Sequence, residues 1–165
     1  MYTGYAAFDG PFVIRYPRGK GEMKDWRNEM QVLPIGKGKK LRDGDDIAVL
    51  SIGPIGNEVI KAIEMVKEER VSIAHYDMIY LKPLDEELLH EIGQKYNRII
   101  TVENGVIKGG FGSAVLEFMA DNGYTPPVKR IGVPDAFIEH GSIPELYQLC
   151  GMDAESIAKQ LKKEN

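Results

Sequence analysis

From residue 46 the chain alternates apolar runs with amphipathic stretches. "DIAVLSIG" is a short continuous apolar run with β-branched residues, the pattern of a strand buried on both faces. A helix follows, in which Val59, Ile63 and Val66 fall at i, i+4 and i+7 beside Ile60, while Glu58, Lys61, Glu64 and Lys67 take the other face. "VSIAHYDMI" reads as the next strand, and "LKPLDEELLHEIGQKY" turns at Pro83 into a second amphipathic helix through Leu88, Leu89 and Ile92. "RIITVEN" gives a third strand, "GGFGSAVLEFMADNG" a loop and a helix closing at Gly123, and "VKRIGVP" a fourth strand before a helical tail from Ile143. Strands alternating with helices of this length need crossover connections. The expected fold class is therefore α/β: three α/β/α layers around a mostly parallel sheet of about five strands.

The front of the chain breaks this alternation. Residues 12–16 and 31–35 read as short extended segments separated by the polar, glycine-containing "GKGEMKDWRNE". We expect residues 1–30 to be the end of a preceding unit with its linker, and residues 31–165 to be the α/β domain.

Length and composition suit an ordinary water-soluble domain. The 165 residues are 43% hydrophobic and 28% charged, with a net charge of −4. That balance points to neither nucleic acid nor an anionic membrane as the main partner. The start "MYTGYAAFDG" lacks the basic residues and apolar run of a signal peptide, and no segment approaches a membrane span. Cys150 is the single cysteine, so no internal disulfide can form, and a reduced cytoplasmic setting is expected. Its neighbours Leu149, Gly151 and Met152 offer no base, which suits a small buried apolar role.

Ligands of open parallel sheets bind at the carboxyl ends of the strands, so the loops there are the places to look for chemistry. In "NGVIKGGFGSA", Gly109, Gly110 and Gly112 follow a strand and precede a helix. They either let backbone amides approach a phosphate or simply permit a tight turn and close helix packing. Glu103 ends a strand, and His140 in "FIEHGSI" lies on another loop. The two could share a proton-transfer role, or His140 could cap the helix that begins after Ser142. Near the amino terminus, "RYPRG" places Arg15 before Pro17 and Arg18 after it. Proline cannot donate to a ladder, so a strand ending there leaves Arg18 on a loop, either as a solvated charge or as a guanidinium fork for a carboxylate or phosphate. "DGDD" at 43–46 precedes a strand and reads as a turn.

Together "RYPRGKG", "LPIGKGK", "LKPLDEELL", "TVENGVIKGGFGSAV" and "IGVPDAFIEHG" followed by "GMDAESI" resemble, in order and spacing, the carboxyl-terminal part of the 1-deoxy-D-xylulose-5-phosphate synthase family. The combination of "KPLDE", "GGFGS" and "PDAFIEHG" separates this family from transketolase and from 2-oxo-acid dehydrogenase β subunits, which share the fold. The resemblance implies a transketolase-type transferase that condenses pyruvate with glyceraldehyde 3-phosphate and releases carbon dioxide, using thiamine diphosphate and Mg2+. In the family those cofactors are held by amino-terminal and middle domains whose motifs these 165 residues lack. It therefore implies a domain that binds neither cofactor nor metal alone, is inactive by itself, and partners with the missing domains and with a second copy in a homodimer. An unpaired apolar surface is then expected, since the natural neighbours are missing. Arg18 matches the second arginine of the family's Arg-Tyr-Pro-Arg-Gly, which implies a clamp on the acceptor phosphate; Arg15 is taken as structural. Ile79 and Tyr80 stand where the family usually has an arginine and an aromatic, and Asn104 stands in place of a second glutamate. Glu103 and His140 remain the candidate catalytic residues. The rival expectations are a free-standing α/β module binding a phosphate or nucleotide at "GGFGS", an interaction domain left over from gene fission, or the carboxyl-terminal domain of a transketolase or 2-oxo-acid dehydrogenase β subunit.

Overall fold

The computed structural model describes residues 1–17 and 27–162. It divides into two compact units, Met1–Ile35 and Gly36–Asn165.

In the first unit a short helix, α1 (Tyr2–Ala6), buries Thr3, whose Oγ1 accepts the Leu33 amide at 3.0 Å. Phe8 and Phe12 meet edge to face with centroids 5.5 Å apart. Among the described residues neither 12–16 nor 31–35 is paired in a ladder. Pro11 and Pro17 bracket the first run and Pro34 interrupts the second, and each removes an amide that a ladder would use.

The second unit carries β1 (Lys39–Arg42), β2 (Ile47–Ile52), α2 (Gly56–Met65), β3 (Ile73–Asp77), α3 (Glu86–Lys95), β4 (Ile99–Val106), α4 (Phe111–Asp121), β5 (Val128–Val133), α5 (Ile143–Leu149) and α6 (Ala154–Leu161). The sheet order is β1-β3-β2-β4-β5, parallel except for β1, which pairs antiparallel with β3. This is the expected three-layer fold. Its fifth strand is β1, whose sequence KKLR is exposed throughout and shows no apolar alternation.

The central strand β2 explains the layering. Ile47 and Val49 join one apolar cluster, with Val59 and Ile63 of α2 and Ile157 and Leu161 of α6. Ala48 and Leu50, pointing the other way, join a second cluster with Leu89 and Ile92 of α3 and Phe111, Val115 and Met119 of α4. Helices α2 and α6 thus cover one face of the sheet, and α3 and α4 the other. The helical tail is two helices, parted at Gly151, whose φ of +66° suits glycine. Cys150 is half-buried and packs against the first cluster.

Candidate functional site at the carboxyl edge of the sheet

Strand parity puts Ile99, Thr101 and Glu103 on the face of β4 covered by α4. The pairing of β4 with β5 is broken between Val102 and Val106, so the backbone there leaves the ladder and runs into the glycine loop. Glu103 is 5% exposed, and its two carboxylate oxygens accept the amides of Phe111 and Gly112, each at 2.8 Å. These are donors that the first turn of a helix leaves without an internal partner. A carboxylate there is further favoured by the positive end of the helix.

The glycines make room for this arrangement. A Cβ on Gly110 would stand 2.2 Å from Glu103 Oε2 and 2.3 Å from the Val106 carbonyl oxygen, and one on Gly112 would stand 2.5 Å from Thr101 Oγ1. Of the two readings of the glycine loop, the structure shows tight turn and close packing. The seat that a phosphate would take is filled by the protein's own carboxylate. The loop is held further by Ser113, whose Oγ accepts the Gly109 amide at 3.0 Å. Arg130 donates to that Oγ at 2.7 Å and to the Ile107 carbonyl at 3.0 Å.

His140 is exposed, and no hydrogen bond joins it to Glu103 among the described residues. It does not cap α5 either: Glu145 reaches back, accepting the Ser142 amide at 2.9 Å and the Ser142 hydroxyl at 2.6 Å. Those bonds lower the Glu145 pKa below the usual carboxylate value. Asn104 donates to the Tyr147 hydroxyl at 3.2 Å, tying the end of β4 to α5. Arg18 lies outside the described residues.

The "LKPLDEELL" stretch has a structural job. Asp85 is 6% exposed and accepts the amides of Leu88 at 3.2 Å and Gly38 at 2.9 Å, so it caps α3 and ties it to the segment entering β1. Just before it, Ile79 holds a φ of +53°, a left-handed conformation costly for a β-branched residue. Its amide donates to Asp77 Oδ1 at 3.1 Å. Burial raises the Asp77 pKa.

Sequence reasoning missed a buried polar pair on the opposite face. Ser51 Oγ and His75 Nε2 lie 2.8 Å apart, each residue 1% exposed. Burial pushes the His75 pKa down to about 4, so the ring is neutral. No carboxylate bonds to the pair among the described residues. Enclosed beneath Gly56, where a Cβ would meet Ser51 Oγ at 2.9 Å, it is out of reach of a substrate and acts as a polar pin between β2 and β3. Each strand carries its polar residue inside an otherwise apolar run, Ser51 in IAVLSI and His75 in IAHYD, and that pair of exceptions is the one signal the sequence holds.

Residues 36–157 match the family described as "Transketolase, C-terminal domain". The chain belongs to this family. As a transketolase C-terminal domain it has close relatives. It is 99% identical over 165 residues to the 1-deoxy-D-xylulose-5-phosphate synthase of Parabacteroides distasonis, covering 100% of this chain and 26% of that protein. The synthase of Bacteroides thetaiotaomicron is 59% identical over 165 residues, covering 99% of this chain and 26% of its own length. The chain thus spans about a quarter of the length of these relatives. Among solved structures, a split-gene transketolase described as an inactive β4 tetramer superposes with a TM-score of 0.71 and 31% identity, over 81% of this chain and 45% of that one. The transketolase of Campylobacter jejuni, at 12% identity over 76% of this chain and 18% of its own, shares the fold with a TM-score of 0.57.

Proposed function

We propose that this chain serves as the carboxyl-terminal domain of a synthase that condenses pyruvate with glyceraldehyde 3-phosphate to 1-deoxy-D-xylulose 5-phosphate, releasing carbon dioxide. The observation that carries this reading is the 99% identity across all 165 residues to a protein of that name.

Thiamine diphosphate and Mg2+ belong, in this reading, to the other three quarters of the enzyme. The described residues of this chain do not fit them. No group of three or more His, Cys, Asp or Glu side chains among those residues could hold a metal ion. The amides at the start of α4, which could otherwise cradle a diphosphate, are bonded to Glu103. In this reading the chain is inactive alone, which is supported by the inactivity ascribed to the β4 tetramer of the split-gene transketolase.

Its own contribution to the reaction is Arg18, together with contacts in a homodimer. A planar, permanently charged guanidinium holds a phosphate dianion through paired hydrogen bonds and so orients the aldehyde of the acceptor. Positioning of this kind lowers the barrier without the residue taking part in bond making. Glu103, with both oxygens engaged, serves to hold the α4 loop rather than to move a proton.

The test is carbon dioxide release from labelled pyruvate in the presence of glyceraldehyde 3-phosphate, thiamine diphosphate and Mg2+, comparing this chain with the full-length P. distasonis synthase. Only the long protein should turn over. Arg18→Ala in it should raise the KM for glyceraldehyde 3-phosphate about 10- to 100-fold, the loss of a charged hydrogen-bond pair. Turnover by the short chain, or an unchanged KM in the variant, refutes the corresponding part of the reading.

A further inference from the structure

Residues 134–149, from the end of β5 to the end of α5, include none that is buried, although they carry Phe137, Ile138, Ile143, Leu146 and Leu149. Phe137 is fully exposed, and Ile143 and Leu149 are 50% and 68% exposed. The segment is nonetheless held in a definite place. Lys108 pairs with Asp135 at 3.2 Å, Asn104 bonds to Tyr147 at 3.2 Å, and the Ser142–Glu145 pair closes the start of α5. Ordering a backbone sacrifices conformational entropy at every residue, and apolar side chains left in water return nothing against it. Phe137, Ile143 and Leu149 thus stand uncovered on a segment anchored to the core through Tyr147, which is the signature of an interaction surface.

We infer that residues 134–149 form the docking surface for the rest of the synthase chain, with Phe137 as the anchor that enters a pocket on it. The inference rests on the reading that this chain is one domain of that longer protein. The stretch is present in a relative 99% identical over 165 residues, and 26% of that relative accounts for the whole of this chain. The remaining three quarters is thus joined to this domain in each molecule, and a joined partner meets the surface at high effective concentration. Charge argues against a second copy as the cover. The segment contains Asp135, Glu139 and Glu145 but no lysine or arginine, so packing it on itself across a two-fold axis sets like charges together. A fully exposed aromatic side chain on such a segment is of the kind that anchors a binding hot spot.

Hydrogen–deuterium exchange followed by mass spectrometry tests this on the full-length P. distasonis synthase and on this chain. In the full-length protein the amides of 134–149 should exchange on the order of tenfold more slowly than in the chain alone. Equal rates overturn the inference. So does slowing in the chain alone that grows with its concentration, which would make a second copy the cover. Phe137→Asp should leave the melting temperature of this chain unchanged, because the ring touches little, and should return the full-length amides to the rates of the isolated chain. Undiminished protection in that variant overturns Phe137 as the anchor. Carbon dioxide release measured on the same full-length sample reads the catalytic proposal separately: protection without turnover refutes the reaction and leaves the docking surface standing.

Discussion

His75 shows how one side chain can set a pH limit on the fold. Its pKa is about 4 in the folded state against an ordinary 6.5, because burial penalises the charged ring. The unfolded chain binds the proton more readily, so acid favours unfolding. The stabilisation is fully present above about pH 6.5 and is lost as the pH falls toward about 4, by as much as ~3 kcal/mol. Urea midpoints measured at pH 7 and pH 5 should separate clearly for the wild type, and the gap should narrow in His75→Gln. An equal gap in the two proteins would assign the pH dependence to other groups. Residue types alone did not disclose this pair, since a lone histidine inside an apolar run carries no statement about its partner 24 positions away.

Among elements, α4 is the one whose placement depends most on a distant charge. Replacing Glu103 by Ala leaves the Phe111 and Gly112 amides without their acceptor and opens a void beside them. The expected cost is about 2–4 kcal/mol in urea unfolding, with Glu103→Gln recovering part of it; a loss below about 0.5 kcal/mol would show that water replaces the carboxylate freely. Strands β2 and β3 and helices α2, α3 and α4 were legible because burial on both faces, or on one stripe, writes itself into hydrophobic period. Strand β1 was not, because KKLR is specified by its antiparallel partner β3 and not by its own pattern. The same limit applies to the site. That a carboxylate ends β4 was plain from the sequence, whereas its turn back onto amides eight and nine positions later depends on the break in the β4–β5 pairing. Gly110 and Gly112 were visible, but their spacing alone fits an external phosphate as well as an internal carboxylate.

For the whole molecule, the association proposed above has a measurable consequence. A chain that contributes contacts to a homodimer should not stay strictly monomeric, although the acidic 134–149 stretch is not the face that brings two copies together. Sedimentation velocity across a wide concentration range should show a rising average mass, and a constant monomeric profile would remove the dimer contacts from this chain's role. Nothing in the length of the sheet forces such association through strand edges. Strand β1, at one edge, is four residues long with Lys39, Lys40 and Arg42 among them, which discourages edge-to-edge pairing.

The internal carboxylate at α4 also bears on the search for inhibitors. Phosphate isosteres aimed at this glycine loop would have to displace a side chain that is covalently part of the strand and therefore never diffuses away. Fragment screens on the isolated domain should accordingly be directed to its uncovered apolar stretch, where a small aromatic compound meets no resident competitor.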